Sequence, residues 1–227
     1  MKVIALLPMK GNSERVPGKN IRDFNGKPLF FHVLGTLTAS NYIDQIIINT
    51  DSDQFAEMAL AHSSKVKIHK RPQEICGDFV SMNDVINYDI DNSDGMHYLQ
   101  THSTNPLLRV STIDNAIEAY ENLPSHFDSL FSVTRHQTRL FWEDGSPINH
   151  NPQELIRTQD LPPVFEENSN FFIFSRESFK KAGNKRIGLH PKMFEVNKIE
   201  AVDIDDENDF LIAEALQKLN ILQSIDK

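Results

Sequence analysis

Short apolar runs alternate with segments of helical periodicity along the first 133 residues of the chain. The apolar runs predict buried strands at Val3–Leu7, Gln45–Thr50, Val66–His69, Tyr98–Thr101 and Ser129–Val133. The segments between them predict helices at Pro28–Ser40, Asp53–His62, Met82–Asp91 and Thr112–Asn122. Strands and helices in alternation form βαβ units, because parallel neighbouring strands need a crossover connection. We therefore expect a three-layer, Rossmann-type α/β fold, with helices on both faces of a mostly parallel sheet.

The alternation ends after Val133. Residues 135–167 are polar and rich in proline and asparagine, and a loop of this length is usually functional or contacts another subunit. Later segments predict three more strands and a last helix, at Phe171–Phe174, Lys192–Asn197, Ala201–Ile204 and Asp206–Leu219. Asp205 or Asp206 can cap that helix. Because no repeat or low-complexity tract divides the chain, we expect a single domain over residues 1–227, with residues 135–167 as a protruding excursion.

The chain is acidic, with a formal net charge of −9 over 227 residues. Nucleic acids and anionic membranes select cationic surfaces, so neither is an expected partner. No apolar stretch approaches the ~20 residues of a membrane span, and the start of the chain lacks a signal-peptide pattern. The single cysteine, Cys76, excludes an internal disulfide framework and fits a reducing compartment. We expect a cytoplasmic protein whose mature chain begins at Met1.

The loop after the first predicted strand, residues 8–20, combines glycines with positive charge. Its glycines and cations are Gly11, Gly18, Lys10, Arg15 and Lys19. Loops at the carboxyl ends of parallel strands are where such folds bind ligands. Glycine lets backbone N–H groups approach an anion closely, and the cations can neutralise a triphosphate. The spacing is not that of a Walker A motif. The loop therefore predicts a triphosphate cradle, with a solvated basic loop as the alternative.

Two carboxylates, Asp203 and Asp205, stand at i and i+2 at the end of the predicted strand Ala201–Ile204. Their side chains can point the same way, and two close carboxylates repel unless a cation or proton lies between them. Mg²⁺ suits them, because it takes hard oxygen ligands and shares them with substrate phosphates. In the alternative interpretation, Asp205 caps the last helix and Asp203 is solvated. The residues alone favour neither the metal site nor the helix cap.

Five motifs follow one another in order along the chain. They are Pro8–Asn20 with Gly26–Leu29, Lys70–Pro72 with Ser81, Leu99–Leu107, Arg157–Asn168 and Val202–Asp205. Together they resemble the signature of the acylneuraminate (sialic acid) cytidylyltransferase family of CMP-sugar synthetases, over about residues 3–216. The resemblance implies a nucleotide-diphospho-sugar transferase-like fold. It also implies that CMP passes from CTP to the anomeric hydroxyl of an acidic nine- or eight-carbon keto sugar, with release of pyrophosphate.

The resemblance implies roles for individual residues as well. It places the nucleotide at Lys10, Gly11, Ser13, Arg15, Asn20, Arg71 and Ser81. It places the acidic sugar at Gln100, Arg157, Gln159 and Asn168. It makes Lys10, Lys19, Asp203 and Asp205 the catalytic residues, with one or two Mg²⁺ ions on the two aspartates. It further implies a homodimer in which residues 135–167, including Phe141 and Trp142, cross to the partner's site.

The chain departs from the family pattern at three places. Lys10 replaces an arginine, Glu14 stands where lysine is frequent, and the segment from Gln100 to Pro106 is two residues longer than the usual form. Two other functions stay open. A metal-dependent nucleotide-sugar glycosyltransferase would also use an Asp-x-Asp pair, and the changes at Lys10 and Glu14 suggest a non-catalytic nucleotide-binding homologue.

Overall fold

The computed structural model describes residues 1–11 and 16–219. Within these ranges the strands are β1 (Val3–Leu6), β2 (Asp23–Phe24), β3 (Lys27–Pro28), β4 (Ile43–Thr50), β5 (Val66–Lys70), β6 (His97–Thr101), β7 (Ser129–His136), β8 (Val164–Ser175) and β9 (Pro191–Glu195). The helices are α1 (Phe30–Ala39), α2 (Asp53–His62), α3 (Met82–Asp91), α4 (Val110–Glu121), α5 (Arg176–Lys181) and α6 (Glu207–Lys218). No helix in these ranges is both long enough and apolar enough to cross a membrane.

The main sheet has the strand order β5-β4-β1-β6-β8-β7-β9. β5, β4, β1 and β6 are parallel to one another. β8 runs antiparallel to both β6 and β7, and β9 is parallel to β7. The predicted mostly parallel α/β sheet is thus confirmed. Because β1 lies between β4 and β6, the loops that follow these three strands open side by side at one edge of the sheet.

Alternation along the strands divides the apolar side chains between two cores. Val3 and Ala5 of β1 pack in a cluster with α1, α2 and α4, whereas Leu6 packs in a second cluster with α3 and α5. In β8, Phe171 contributes to the first cluster and Phe172 to the second. Successive side chains of a strand point to opposite faces, so the sheet is the middle of three layers.

The last helix is held against the β2–β3 hairpin rather than against the sheet. Phe24, Leu29, Ile204 and Phe210 belong to a third, smaller apolar cluster. Asp206 caps α6, since its side chain accepts hydrogen bonds from the amides of residues 208 and 209 at 2.8 and 3.0 Å. The predicted helix and its Asp206 cap are therefore confirmed, and the segment before it is anchored next to the hairpin.

The predicted strand Ala201–Ile204 is wrong. Residues 201–205 form a turn followed by irregular chain. The Ile204 side chain is fully buried in the third cluster, and its amide donates to the Thr104 carbonyl at 2.9 Å. The apolar residues of this segment are therefore spaced as they are because the segment is buried against the hairpin, and not because it forms a strand of the sheet.

The excursion is shorter than predicted, and some short elements were missed. β7 continues to His136 and β8 begins at Val164, so residues 137–163 lie outside the sheet instead of residues 135–167. The β2–β3 hairpin turns through Asn25 and Gly26, both with positive φ. Asn-Gly is a favoured pair for such two-residue turns. Pro28, predicted to begin a helix, instead ends β3, and α1 begins at Phe30. Helix α5 was also not predicted.

His32 of α1 is buried in one neutral tautomer. Its Nε2 lies 2.9 Å from the Phe24 carbonyl and must donate to it. Its Nδ1 therefore accepts from the Gln217 amide at 2.9 Å. Burial lowers the pKa of His32 to about 4, although the Phe24 carbonyl favours the charged form. Protonation at Nδ1 would place its N–H against the N–H of the Gln217 amide, and the hydrogen bond between them would be lost.

Acidification should destabilise the fold through His32. The folded-state pKa lies below the ordinary 6.5, so the unfolded chain binds more protons between these values and stability falls as pH drops from 6.5 towards 4. We expect the His32 contribution to fall by about 2 kcal/mol between pH 7 and pH 5. Urea unfolding of His32→Gln should show a correspondingly flatter pH dependence, whereas His126→Gln, at an exposed position, should keep the wild-type slope. An unchanged slope in His32→Gln would contradict this assignment.

Candidate active site

A cavity of about 540 Å³ opens at the carboxyl edge of the parallel strands. We call it the strand-end cavity. Its lining comes from segments after β1, β5 and β6, from β8, and from the loops before β9 and α6: Pro8, Met9, Lys10, Lys19, Asn20, Asp78, Met82, His102, Ser103, Thr104, Ser169, Arg186, Asp203 and Asp205. Of the predicted site residues, the cavity brings together Lys10, Lys19, Asn20, Asp203 and Asp205.

Ile204 fixes the segment that carries the two aspartates. Its buried side chain anchors the chain, its amide donates to Thr104, and its carbonyl accepts from Lys19 Nζ at 2.5 Å. Side chains on either side of this anchor, Asp203 and Asp205, both line the strand-end cavity. The predicted pairing of the two carboxylates is therefore present, although irregular chain and not a strand end carries it.

Asp203 lies in a site that disfavours its negative charge. Burial raises the pKa of its carboxyl, and the carboxylate of Asp205 raises it further. The Thr104 hydroxyl and the Lys19 ammonium act in the opposite direction. Oδ1 of Asp203 is buried without a hydrogen-bond partner in the described part of the chain. A cation placed at this oxygen would relieve both the burial and the repulsion.

Lys19 is a buried cation beside the aspartates. Only 8% of its surface is exposed. Gly18 precedes it with φ of 64°, a left-handed conformation that glycine adopts without a steric penalty. This turn starts the short 3₁₀ segment Lys19–Ile21, which directs Lys19 to the Ile204 carbonyl. The ammonium group is thereby fixed at the cavity wall.

Lys10 lies at the mouth of the strand-end cavity. Its Nζ is 2.6 Å from Asp78 Oδ1, with both side chains about half exposed. The predicted nucleotide residues Ser13 and Arg15, together with Glu14, lie outside the described residues. Gly11 donates its amide to Asp51 at 2.6 Å, so in this structure that N–H is directed to a carboxylate of the protein. The role of Gly11 at the nucleotide stays a prediction from the motif.

Arg71 belongs to a buried polar network behind the cavity. Its Nε donates to Asn49 Oδ1 at 2.7 Å, and its Nη2 donates to the Asn49 carbonyl at 3.0 Å. The Asn49 amide in turn donates to Asp89 Oδ1 at 2.7 Å, and His69 Nδ1 lies 2.8 Å from the same oxygen. Burial raises the pKa of Asp89, while the hydrogen bonds from His69 and Asn49 lower it. Arg71 is thus rigidly positioned but does not line the cavity.

Hydrogen bonds to other residues of the chain define the positions of Ser81 and Asn20. Ser81 caps α3 by accepting from the amide of Asn83 at 3.2 Å, which leaves it next to the lining residue Met82. Asn20 Oδ1 accepts from the Ser103 hydroxyl at 2.8 Å. This bond ties the loop after β1 to the loop after β6.

Gln100 is buried beneath the strand-end cavity in contact with two residues that sequence reasoning did not assign. Its Oε1 accepts from Arg186 Nη1 at 2.8 Å, and its Nε2 lies 3.2 Å from His102 Nε2. Burial, together with the charges of Arg186 and Lys19, lowers the pKa of His102 to about 3. A neutral His102 ring therefore accepts at Nε2. Arg186 follows α5 in a segment without periodicity, so no local signal pointed to it.

The other residues predicted to hold the sugar lie elsewhere in this chain. Arg157 is exposed and pairs with Asp160 at 2.7 Å, and Gln159 is exposed in the same 3₁₀ turn. Neither lines the cavity of its own chain. Asn168 is buried in β8, where its amide donates to the Thr134 hydroxyl at 3.0 Å. The next residue, Ser169, has φ of 56° and lines the cavity in its place.

The two aspartates fit a magnesium ion better than a zinc ion. No group of three or more histidine, cysteine, aspartate or glutamate side chains is arranged for a metal within residues 1–11 and 16–219. Mg²⁺ is commonly held by one or two carboxylates, with water and substrate phosphates completing its shell. The unpartnered Asp203 Oδ1 beside Asp205 matches that ligand set. The cavity thus joins paired carboxylates to fixed cations, an arrangement suited to a polyphosphate.

Residues 4–225 of the chain match the model of a protein family described as cytidylyltransferase. The chain belongs to this family. Three relatives in sequence have names that include a sugar acid. The chain is 25% identical to a pseudaminic acid cytidylyltransferase of Campylobacter jejuni, over 97% of this chain and 98% of the other. It is 28% identical to a CMP-N,N'-diacetyllegionaminic acid synthase of Legionella pneumophila, with the same two coverages. It is 29% identical to N-acylneuraminate cytidylyltransferase A of Danio rerio, over 93% of this chain and 50% of the other.

Solved structures confirm the fold of this cytidylyltransferase. A CMP:2-keto-3-deoxy-manno-octonic acid synthetase in complex with CTP superposes with a TM-score of 0.71 at 13% identity, over 97% of this chain and all of the other. A 4-diphosphocytidyl-2C-methyl-D-erythritol synthase of Anaerococcus prevotii superposes with a TM-score of 0.67 at 12% identity, over 96% of each chain. The expected nucleotide-diphospho-sugar transferase-like fold is therefore confirmed.

Proposed function

We propose that this cytidylyltransferase transfers CMP from CTP to the anomeric hydroxyl of an acidic keto sugar of the sialic-acid-like class. One observation carries the proposal: the strand-end cavity places Asp203 and Asp205 beside the buried ammonium of Lys19. Membership of the family supports the nucleotide, and the sugar acids in the names of the three relatives support the acceptor. In the reaction, a bond forms between the sugar oxygen and the α-phosphorus of CTP. The bond from that phosphorus to the β-phosphate oxygen breaks, and pyrophosphate leaves.

The chain's own residues would bind and orient the two substrates. Lys10 and Lys19 neutralise the triphosphate, which lowers the electrostatic barrier to an approaching hydroxyl. Asn20, held by Ser103, would contact the cytidine in the cavity. The cytidine role of Arg71 rests on the motif resemblance, because Asn49 holds its side chain behind the cavity. The proton of the attacking hydroxyl moves to a carboxylate oxygen of the Asp203–Asp205 pair. These roles combine the motif resemblance with the positions of the side chains.

Asp203 and Asp205 would hold Mg²⁺. When bound there, the ion neutralises phosphate charge and orients the phosphate oxygens. The buried Oδ1 of Asp203 supports this assignment, because it has no protein partner in the described ranges.

We also propose that the excursion, residues 137–163, contacts a second copy of the chain. Its large apolar side chains Trp142, Leu155 and Ile156 are 63%, 92% and 42% exposed, respectively, and a second copy of the chain would remove them from water. Arg157 and Gln159 follow directly and lie outside the cavity of their own chain. A homodimer would allow both to reach the partner's cavity.

Pyrophosphate release tests the proposed reaction. Purified protein with Mg²⁺ is supplied with each of the four nucleoside triphosphates and with pseudaminic, legionaminic and N-acetylneuraminic acids and an eight-carbon keto acid. We expect release that requires CTP, metal and one of the acids. Release with a triphosphate other than CTP would overturn the nucleotide assignment. A rise in melting temperature with CTP, without release in any combination, would favour a non-catalytic nucleotide-binding protein.

A further inference from the structure

Arg186 is a partly buried cation in the wall of the strand-end cavity. Its side chain is 19% exposed, and the residue lines the cavity. The guanidinium carbon lies 3.7 Å from the centre of the Phe172 ring, a stacking contact that arginine makes readily. No motif of the chain includes Arg186.

The protein contacts of Arg186 fix its orientation without using its whole donor set. Nη1 donates to Gln100 Oε1 at 2.8 Å and lies 3.3 Å from the neutral His102 Nε2. Nη2 is 3.6 Å from Glu167 Oε1, which exceeds a hydrogen bond. In the described parts of the chain, neither Nε nor Nη2 donates a hydrogen bond. Guanidinium carries five N–H donors in a rigid fork, so one side of the fork stays available for a ligand.

Apart from the half-exposed carboxylate of Glu167, which lies 3.6 Å from Nη2, the surroundings of the guanidinium favour a carboxylate ligand. Phe172 covers one face of the group, and burial lowers the pKa of Arg186 although Glu167 raises it. Lys19 adds positive charge nearby, since it also acts on His102. A planar fork recognises carboxylate through two parallel hydrogen bonds, and partial burial strengthens this interaction.

We propose that Arg186 binds the carboxylate of the acidic sugar, with Gln100 and Phe172 holding the guanidinium in place. This inference rests on the proposed function, because it names the group that distinguishes the acidic acceptor from a neutral sugar. It assigns the carboxylate to a cation of the same chain, whereas the motif resemblance assigns the sugar to Arg157 on the excursion. His102 lies in the segment from Gln100 to Pro106, which is two residues longer than the usual family form, and contributes an acceptor that orients Arg186.

Calorimetric titration tests the inference independently of turnover. Wild type loaded with a non-hydrolysable CTP analogue is titrated with pseudaminic, legionaminic and N-acetylneuraminic acids, and with the C1 amide of each. We expect one acid to bind and its amide to bind far more weakly. In Arg186→Gln, affinity for the acid should fall roughly 30- to 100-fold, the scale of a lost charge-assisted hydrogen-bond pair. Arg186→Lys keeps the charge but loses the fork, so it should lose about tenfold.

A matched control separates carboxylate binding from a structural role. Lys185→Gln removes an adjacent, exposed cation and should change affinity less than about twofold. In both Arg186 variants, binding of the CTP analogue should match wild type, whereas the melting temperature of Arg186→Gln should fall because buried Gln100 loses its donor. The decisive readout is discrimination between acid and amide, which a structural role would leave intact.

Each outcome decides the inference. Acid binding that is unchanged in Arg186→Gln overturns it, as does a weakened affinity with undiminished preference for the acid over the amide. Failure of all three acids to bind wild type also overturns the inference about Arg186. The proposed reaction would still be upheld in that case if another acceptor supports pyrophosphate release. Acid binding through Arg186 without any pyrophosphate release would instead overturn the proposed reaction and leave the carboxylate site standing.

Discussion

Asp203→Asn and Asp205→Asn should each lower turnover by about 1,000-fold or more, because removing a group that stabilises transition-state charge costs on this scale. Asparagine keeps the shape of the side chain but lacks the charge that holds a divalent cation. The fold should survive, because Ile204 and not either aspartate anchors the segment. Turnover at saturating CTP and sugar acid measures the loss. Calorimetric titration of Mn²⁺ into each CTP-loaded variant measures metal binding separately.

Asp206→Asn is the matched control for the aspartate pair. It removes a neighbouring negative charge, but Asp206 caps α6 and asparagine caps a helix about as well as aspartate. This variant should keep turnover within about twofold of wild type and bind Mn²⁺ normally. Near-wild-type turnover and metal binding in Asp205→Asn would contradict the metal role of the pair.

Lys19→Met should lower kcat/KM for CTP by about 100- to 1,000-fold, the loss typical for a removed transition-state donor. Its ammonium is buried at the cavity wall and acts on both Asp203 and His102. Methionine fills a similar volume without the charge. Stability should fall by only about 1–2 kcal/mol, because the Ile204 carbonyl loses its donor. Steady-state kinetics and urea unfolding on the same sample separate these two effects.

The control for Lys19 is Lys27→Met, which removes an exposed cation from the nearby β2–β3 hairpin. Its kcat/KM should remain within about twofold of wild type. If Lys19→Met loses stability but keeps its kcat/KM for CTP, then Lys19 only supports the Asp203 segment and the phosphate role is wrong.

The elements with strong local signals were predictable from the sequence. Helices α2 and α3 have the predicted bounds, Asp53–His62 and Met82–Asp91. Both begin at a serine whose side chain accepts from an amide of the first turn, Ser52 in α2 and Ser81 in α3. A local cap and a periodic apolar face are encoded within a few residues, which explains the agreement.

Elements that depend on distant partners were not predictable in the same way. The apolar pattern of Ala201–Ile204 is equally compatible with a strand and with a buried turn, and the hairpin that covers Ile204 lies far away in sequence. β8 extends back to Val164 only because β7 continues to His136 beside it. Such pairing depends on the tertiary fold and leaves little trace in a short window.

In the candidate site, too, residues in local motifs were predictable and residues placed by distant contacts were not. Motifs pointed to Lys10, Lys19, Asn20 and the two aspartates, and the cavity brings these together. Arg186 could not be found from the sequence, because its position depends on Gln100, which is 86 residues away, and on the Phe172 ring. The roles of Ser13 and Arg15 stay predictions from the motif.

The fate of the α-phosphate tests the central claim most directly. Protein, Mg²⁺ and the sugar acid that supports pyrophosphate release are incubated with CTP radiolabelled at the α-phosphate or, in parallel, at the γ-phosphate. We predict that the α-label appears in a new CMP-sugar, which acid hydrolysis returns to CMP, and that the γ-label appears only in pyrophosphate. Transfer of the γ-label to the sugar, or recovery of the released α-label only in free CMP, would contradict cytidylyl transfer at this site.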